Sequence, residues 1–425
     1  MALTSTSSMP STGSPRVGAV AVVAPYGEAG RHAQEYARRG WKITAVTLPA
    51  HALPAQHREG TDLSDYPDVI EHVGGLRRTA RRLRERGVSA VIAGSGIGVP
   101  LADRLTRALG LAGNDPGTTA LRTDRGVQAA ALADAGLAAP RVLRTASLAG
   151  ALRWAESSRL PAYVVAVADS SAAAPPAVCR SAAEISTAWR RLRRAAHHQT
   201  GTHDLVIQEY LPGRQYIVHT VSSPASQHAV TGVWAEERTS QHVHTRSDLM
   251  ASPSLLVRSL YLYAMRVLDA LCVETGPARF RMVLTGRGPT LLSARAFAEP
   301  PLAAELFELT AGIDHLREAV RASTTGLVRP WVDDQTVSRF VSRVSLIAPR
   351  EGVLDAQLLR TVTTLPTVRH VVGSLVAGAA VRKTVDRQSS PGELVLSAVS
   401  RQAIEEDYRV IRAVERLGLY DGAAL

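Results

Sequence analysis

The segment from Leu160 to Cys179, LPAYVVAVADSSAAAPPAVC, has the outline of a buried strand that runs into a phosphate-binding loop. Such loops hold phosphate oxygens with backbone N–H groups and with a lysine ammonium group. This segment contains no lysine, its loop carries alanine where glycine is usual, and Pro175 and Pro176 have no N–H group to donate. The residues alone leave two interpretations open: an ordinary apolar strand, or a phosphate site that has lost its binding groups.

Arginine supplies nearly all the positive charge of the chain. Of the 49 lysine and arginine residues only Lys42 and Lys383 are lysines, which leaves 49 − 2 = 47 arginines, and the formal net charge is +11. Two arginine-rich stretches, Gly74–Gly87 and Ala188–His198, have helical spacing with apolar stripes, which is typical of solvated helix faces. Because aromatic residues are almost absent from both stretches, nucleic-acid binding is disfavoured.

Histidine and cysteine residues offer little for metal binding. His242 and His244 would share a strand face, but no third ligand has a clear place, so hydrogen-bonded or solvated histidines are expected. Cys179 and Cys272 lack metal-ligand spacing and favour buried thiols in a reducing cytoplasm. Residues 1–15 predict a disordered tail without the features of a signal peptide, and no apolar run reaches the ~18 residues of a membrane span. A cytoplasmic protein without a metal site is the expectation.

The pattern of elements predicts a sheet that would position these residues. Between Val17 and Gly110, apolar strands alternate with helices, which predicts right-handed βαβ units and a mainly parallel sheet. Ligands bind at the carboxyl ends of such strands, and the turn Gly94–Gly98 lies at one of them. A tight turn is nevertheless the preferred interpretation, since G-x-G-x-G lacks the full dinucleotide fingerprint.

The rest of the chain predicts α+β structure. Residues 204–223 predict a strand, a turn at Pro212 and Gly213, and a second strand, which together would form a hairpin-like pair. Further strands surround the helical segment SLLVRSLYLYAMRVLDALC. After Ser338 come three strand-like segments and a final amphipathic helix from about Arg401.

Taken together, these segments resemble the ATP-grasp superfamily, specifically its carboxylate–amine ligases, which join amino acids into dipeptide-like products. The resemblance covers nearly the whole chain after the tail, and its main passages are GSGIGVPLADRL, QEYLPGRQYIVHTVS, LDALCVETGPA and SSPGELVLSA. It implies an α/β and α+β protein with the ATP-grasp fold. The implied domains are a Rossmann-like domain at 16–115, an ATP-grasp domain at 116–330 that divides near 205, and a C-terminal α+β subdomain at 331–425. In this family ATP lies between two subdomains, and an amine attacks an acyl phosphate.

The resemblance also implies which residues would contact a nucleotide. The family's hinge, which hydrogen-bonds the adenine edge, is present here as QEYL. A glutamate that binds the ribose is replaced by glutamine, and two phosphate-binding lysines are replaced by arginine. ATP therefore remains open as a ligand. The matching positions are Glu209, Tyr210 and Leu211 at the adenine, Gln215 at the ribose, and Arg125 and Arg238 at the phosphates.

The family's remaining catalytic groups are replaced. Its V-V-K-P strand corresponds to Val164–Val167, which lacks lysine, and its metal-binding carboxylates correspond to Arg281, Ser293 and Arg295. A magnesium ion ~4 Å from an arginine would be repelled by several kcal/mol even at an effective dielectric constant near ~20, so Mg²⁺ is not expected. Arg281, Arg295 and Arg238 are the candidate catalytic residues, because guanidinium groups pair with phosphate or carboxylate bidentately; for Arg238 a surface role is equally open.

Functions from different classes stay open. The first is a degenerate ligase without Mg²⁺–ATP chemistry, which binds a small anionic metabolite or amino-acid-like ligand or catalyses an ATP-independent reaction in the same cleft. Such a protein could work with a partner enzyme. The second is an active ATP-dependent amino-acid ligase whose arginines replace lysine and metal. A nucleic-acid-binding protein is a remote third, and a homodimer is compatible with each.

Overall fold

The computed structural model describes residues 18–26, 30–53, 62–172, 174–225, 227–250, 254–298, 314–329, 339–373, 375–387 and 389–422. The tail expected at residues 1–15 lies outside these ranges. Helices and sheets are mixed throughout, and the α/β and α+β fold class predicted from the sequence is confirmed. None of the helices in the described ranges combines the length and the hydropathy needed to cross a bilayer.

The N-terminal sheet is fully parallel, as the strand–helix alternation predicts. Its strands lie in the order β3-β2-β1-β4 and are β1 (Ala19–Val23), β2 (Lys42–Thr47), β3 (Asp68–Glu71) and β4 (Val88–Ala93). The helices of this region are α1 (Gly30–Ala37), α2 (Leu76–Glu85) and α3 (Val99–Leu109). All five residues of β1 are buried, because α1 covers one face of the sheet while α2 and α3 cover the other. Strand β3 was not foreseen, since DVIE is short and half charged.

The glycine-rich turn at residues 94–98 packs against two other parts of the chain. A Cβ atom on Gly98 would lie 2.4 Å from the carbonyl oxygen of Val23, and one on Gly96 would lie 2.3 Å from the Cβ atom of Ser171. Real Cβ atoms do not approach so closely, so both positions require glycine. The turn therefore lets the N-terminal sheet approach the loop that contains Ser171.

A small antiparallel sheet follows two short helices. The helices are α4 (Thr119–Thr123) and α5 (Arg125–Asp134). The sheet has the order β5-β8-β6-β7, with β5 (Val142–Thr145), β6 (Tyr163–Val167), β7 (Ala177–Cys179) and β8 (Leu205–Glu209). Helices α6 (Leu148–Ser158) and α7 (Ala182–Thr200) cover one of its faces, where Trp189 is fully buried. The other face is left open to the cleft described below.

An eight-stranded sheet forms the centre of the molecule and runs in the order β13-β12-β9-β10-β11-β14-β18-β16. Its strands are β9 (Gln215–Ser223), β10 (Gln227–Arg238), β11 (His244–Leu249), β12 (Gly276–Thr285), β13 (Gly288–Arg295), β14 (Phe340–Ser345), β16 (Val368–Val372) and β18 (Glu393–Ala398). The other elements are α8 (Leu255–Ala270), α9 (His315–Thr325), α10 (Ala356–Thr363), α11 (Arg401–Leu417) and the pair β15 (Gly352–Val353) with β17 (Ala380–Val381). Strands before and after residue 330 thus share one sheet, and the domain boundary expected there stays a prediction.

The hairpin expected at residues 204–223 is wrong. β8 pairs with β5 and β6 in the small sheet, whereas β9 pairs with β10 and β12 in the central sheet. Between them Gly213 has φ +142°, and a Cβ atom there would lie 2.6 Å from the carbonyl oxygen of Leu284. A Pro-Gly pair predicts a reversal of the chain, but here it lets the chain pass from one sheet to the other. The passage QEYLPG is therefore the connection between the two sheets.

A buried ion pair holds the N-terminal region to the central region. Arg122 in α4 donates to Asp103 Oδ2 in α3 at 2.9 Å, and the Arg122 side chain is completely buried. Arg122 also donates to the carbonyl oxygen of Cys272, just after α8, at 2.9 Å. Since removing one partner of a buried pair is strongly destabilising, this contact fixes α3, α4 and the end of α8 to one another.

Candidate functional site

A cleft of about 990 Å³ lies between the small sheet and one face of the central sheet. It brings together all the residues that the sequence singled out as nucleotide-binding or catalytic candidates. Their roles toward a ligand stay predictions. The eight residues are Arg125, Glu209, Tyr210, Leu211, Gln215, Arg238, Arg281 and Arg295.

The two-residue repeat of the strands explains why polar groups converge on the cleft. Arg279 and Arg281 of β12 face it, while the intervening Phe280 is fully buried in the core against α8. The same alternation brings Trp234, Glu236 and Arg238 of β10 to the cleft. One face of the central sheet therefore belongs to a hydrophobic core, and the other presents polar side chains to the cleft.

The two strands that would carry metal ligands in the ATP-grasp family lie side by side. Arg281 of β12 is directly opposite Ser293 of β13, and Arg279 is opposite Arg295. Three guanidinium groups thus occupy a place where carboxylates would be needed to hold a divalent cation. Among the residues that the structure describes, no group of three histidine, cysteine or acidic side chains is arranged to hold a metal ion.

Glu236 is the buried counter-ion of this surface. Its side chain is 2% exposed; Oε2 lies 2.8 Å from Arg238 Nη2 and Oε1 lies 3.7 Å from Arg281 Nη2. Burial disfavours the charged carboxylate, but the Arg281 and Arg238 guanidinium groups outweigh it and hold the pKa of Glu236 well below its usual range. Glu236 is therefore ionised and neutralises one of its two close arginines.

The arginines of the cleft remain in excess over this carboxylate. Glu236 raises the pKa of Arg281, but burial and three neighbouring arginines outweigh it and lower the pKa to about 9. Burial and the Arg295 guanidinium lower the pKa of Arg125 to about 10, against the opposing effect of two nearby aspartates. Burial accounts for part of each shift and neighbouring arginines for the rest, and an anion would offset the repulsion among these arginines.

Several buried polar atoms of the cleft have no hydrogen-bond partner among the described residues. They include Nε of Arg238 and Nε of Arg281, and the side-chain oxygen of Gln215. Buried polar groups in folded proteins are nearly always hydrogen-bonded, and the exceptions mark strain, function or a missing partner. These atoms therefore mark hydrogen-bonding capacity beside the cleft that the described residues do not use.

Five backbone N–H groups of the loop after β6 are engaged within the protein rather than available to a phosphate. Arg125 Nε donates to the carbonyl oxygen of Val167, and Arg295 Nε donates to that of Ser170, so both arginines hold the loop down. The loop's own N–H groups are already bonded to acceptors within the protein. They belong to Ala168, Ser170, Ser171, Ala172 and Ala174. The loop therefore cannot bind phosphate through these groups without breaking protein hydrogen bonds.

The connection between the sheets carries the adenine-site candidates. The N–H of Tyr210 donates to the carbonyl oxygen of Ala162, and the Tyr210 ring lies 5.6 Å from that of His242. Glu209 Oε2 accepts a hydrogen bond from the N–H of Arg141 and lies 3.4 Å from Arg287. The hinge is thus fixed to the small sheet, with its side chains at the edge of the cleft.

A register shift in β11 brings two further polar side chains into the cleft. Glu237 pairs with Arg246 and Arg238 pairs with His244, so β11 has one extra residue between these two pairs. As a result both His244 and Ser247 face the cleft. His244 is bonded at both ring nitrogens, to Ser345 at 2.9 Å and to Ser247 at 2.8 Å. This contact agrees with the expectation of a hydrogen-bonded histidine.

Sequence reasoning missed four arginines that line the cleft: Arg180, Arg279, Arg343 and Arg387. Arg279 precedes Arg281 by two residues, so strand alternation could have found it. Arg343 and Arg387 come from β14 and from the segment before β18, and no local pattern links them to the cleft.

We predict that Glu236→Gln destabilises the protein by about 3–5 kcal/mol, because it leaves Arg238 and Arg281 without their buried counter-ion. Urea unfolding at neutral pH measures the change. The matched control is Glu237→Gln, since Glu237 is the exposed neighbour on the same strand and should change stability by less than about 0.5 kcal/mol. Equal losses in both variants would contradict this account of Glu236.

We predict an acid-dependent loss of stability from His244. Burial lowers the pKa of His244 to about 4, with Arg387 and Arg238 acting in the same direction against Glu236 and Glu393. The unfolded chain takes up this proton near its ordinary pKa of 6.5, so stability present above pH 6.5 is lost as the pH falls toward 4, by roughly 3 kcal/mol. A plot of the free energy of unfolding against pH should be flatter for His244→Gln over that range. The same plot for the exposed-site control His198→Gln should follow that of the parent protein. An unchanged profile in His244→Gln would refute the prediction.

Comparison with known proteins gives a likeness in structure only. No protein-family model and no curated protein matches the chain. The L-amino acid ligase from Bacillus licheniformis is 15% identical with a TM-score of 0.72, over 94% of this chain and 98% of that one. The ADP complex of N5-carboxyaminoimidazole ribonucleotide synthetase is 13% identical with a TM-score of 0.67, and the match covers 94% of this chain and 97% of that one. A biotin carboxylase–β-γ-ATP complex from Campylobacter jejuni is 14% identical with a TM-score of 0.63, and the match covers 96% of this chain and 98% of that one. The chain has the ATP-grasp fold.

Proposed function

We propose that the cleft binds a small anionic metabolite or an amino-acid-like ligand, and that the chain is a degenerate ligase without Mg²⁺–ATP chemistry. The observation that carries this proposal is the charge of the cleft. Eight arginines line it, against three carboxylates, those of Glu209, Glu236 and Asp386. A concave site with this balance concentrates anions of small-molecule size.

The arginines at the metal positions support the absence of magnesium chemistry. A divalent cation ~4 Å from one guanidinium group meets a repulsion of several kcal/mol at an effective dielectric constant near ~20, and Arg281 and Arg295 both belong to this surface. The N–H groups bonded within the loop after β6 support the same proposal, since a triphosphate would lack its usual backbone donors. The ligand would be held by guanidinium groups instead.

The proposal covers two forms of activity. The chain would act either as a non-catalytic binding protein, alone or with a partner enzyme, or as a catalyst of an ATP-independent reaction in the cleft. In the second case Arg238, Arg281 and Arg295 would stabilise negative charge that develops on the reacting group. Both cysteines are free thiols, which favours a reducing compartment such as the cytoplasm. A homodimer is compatible with either form.

A second candidate function is ATP-dependent amino-acid ligation with arginines in place of lysine and metal. It is favoured by the hinge Gln208–Leu211, which still connects the two sheets at the edge of the cleft. It is also favoured by the relatives in fold, one of which is an L-amino acid ligase and two of which were solved with ADP or an ATP analogue. Arg125 and Arg238 would then contact the phosphates, and Glu209 would lie beside the adenine.

Thermal unfolding with phosphate, citrate and ATP, each with and without Mg²⁺, tests the proposal. We expect polyanions to raise the Tm, with about 2.7 kcal/mol of stabilisation at 100 Kd, and Mg²⁺ to reduce the effect because it neutralises the ligand. Arg281→Gln should weaken anion binding at least about tenfold. Arg86→Gln is the control, since Arg86 is similarly exposed and pairs with Asp68 outside the cleft.

Two results would overturn the proposal. One is the absence of any anion-dependent rise in Tm. The other is Mg²⁺-dependent stabilisation by ATP together with ADP release in the presence of amino acids, which would establish the second candidate function.

A further inference from the structure

The cleft contains a second cluster of charges with the same composition as the one around Glu236. In the first cluster Glu236 lies between Arg238 and Arg281. In the second cluster Glu393 lies between Arg343 and Arg387. Arg343 Nη2 lies 2.5 Å from Glu393 Oε2, and Arg387 Nε lies 2.6 Å from Glu393 Oε1. In each cluster two guanidinium groups share one carboxylate, and in the second cluster Asp386, the neighbour of Arg387, adds another carboxylate to the lining of the cleft.

The second cluster is built from a different part of the chain. Arg343 belongs to β14, Glu393 begins β18, and Arg387 lies in the segment between β17 and β18. Arg343 and Arg387 line the cleft; their side chains are 15% and 41% exposed. The neighbouring Asp386 also lines the cleft, but its Oδ1 accepts hydrogen bonds from the N–H and Oγ of Ser389 in its own loop. Arg387 is therefore the most accessible cation of this cluster.

The strand register fixes the distance between the two clusters. Glu236 of β10 pairs with Ser247 of β11, and Ser247 pairs with Arg343 of β14. Two strand spacings of ~4.8 Å place the Cα atoms of Glu236 and Arg343 on the order of 10 Å apart. Neutral groups fill the interval: His244 bonds to Ser247 and to Ser345, and Ser345 lies 3.4 Å from Glu393. The cleft thus presents two pairs of arginines, each pair on a shared carboxylate, with an uncharged spacer between them.

We propose that the cleft takes a ligand with two anionic groups, one bound at the first cluster and the other at Arg343 and Arg387 of the second cluster. This inference rests on the proposed binding of an anion in the cleft and specifies its chemical class, a dicarboxylate or a phosphorylated carboxylic acid. Glu393 accepts hydrogen bonds from Nε and Nη2 of both arginines, and a guanidinium group carries five N–H donors in all, so the ligand would share these arginines with Glu393. Glu393 therefore orients the two arginines toward the ligand as well as neutralising one of them.

A purely structural role for the second cluster makes a different prediction. If Glu393 only ties β14 to the segment before β18, then loss of Arg387 lowers stability and leaves the choice of ligand unchanged. If the cluster binds the second anionic group, then loss of Arg387 removes the preference for ligands with two anionic groups. The binding of ligands with one anionic group stays intact. The two roles are separated by comparing ligands rather than by measuring stability.

The experiment measures the affinity of the full-length protein for α,ω-dicarboxylates from malonate to azelate and for monocarboxylates of the same lengths, by isothermal titration calorimetry. The parent protein should bind one intermediate dicarboxylate about tenfold to a hundredfold more tightly than its monocarboxylate, because the second group adds a charge-assisted hydrogen bond. Arg387→Gln should lose most of this advantage. Arg387→Lys should retain part of it, since the charge remains and the planar fork is lost. Arg86→Gln, the control outside the cleft, should behave as the parent protein does.

The outcomes distinguish the two levels of the proposal. If monocarboxylates and dicarboxylates bind the parent protein equally well, the second anion site is wrong while anion binding in the cleft stands. If the dicarboxylate advantage survives in Arg387→Gln and in Arg343→Gln, the second site is likewise wrong. If no carboxylate or phosphate binds the parent protein at all, the proposed function and this inference fail together. Melting curves of each variant without ligand confirm that it is folded.

Discussion

The buried carboxylate of Glu236 between two arginines is the interaction on which the binding surface depends. An ionised carboxylate with 2% side-chain exposure is tolerable only when opposite charges lie close to it, and Arg238 and Arg281 provide them. Those arginines lie on the same face of the central sheet, with β9 between their strands, and they share this counter-ion. The arrangement keeps a remainder of positive charge, on which the proposed preference for anions rests.

The fold supports this surface from three directions. The core of α8 against the central sheet fixes the strands, so that alternate residues must face the cleft. Arg125 and Arg295 donate hydrogen bonds to carbonyl oxygens at the loop after β6. These bonds hold the loop in place on the side of the cleft where its backbone would otherwise bind a phosphate. The glycine turn at residues 94–98 packs on that loop from the N-terminal sheet. Each contact favours a rigid cleft with fixed arginines over a mobile loop that closes on a nucleotide.

The sequence predicted most of the fold and part of the candidate site. The parallel N-terminal sheet was predictable from apolar strands spaced by helices, and Arg281 and Arg295 could be placed by resemblance and strand alternation. The hairpin at Pro212 and Gly213 was predicted wrongly, because a turn signal does not specify which strand a segment will pair with. Arg343 and Arg387 were missed for a related reason: the register between β11 and β14 brings Arg343 to the cleft, Arg387 joins it through Glu393, and such long-range contacts have no local signal.

A crystal structure after soaking with ATP and Mn²⁺ tests the central claim most directly, since anomalous scattering locates the cation independently of the nucleotide. The account predicts that any bound anion contacts Arg281 and Arg295 and that no anomalous peak lies beside Ser293. An anomalous peak that bridges the phosphates at this position, with the nucleotide seated on the hinge at Glu209, would contradict it.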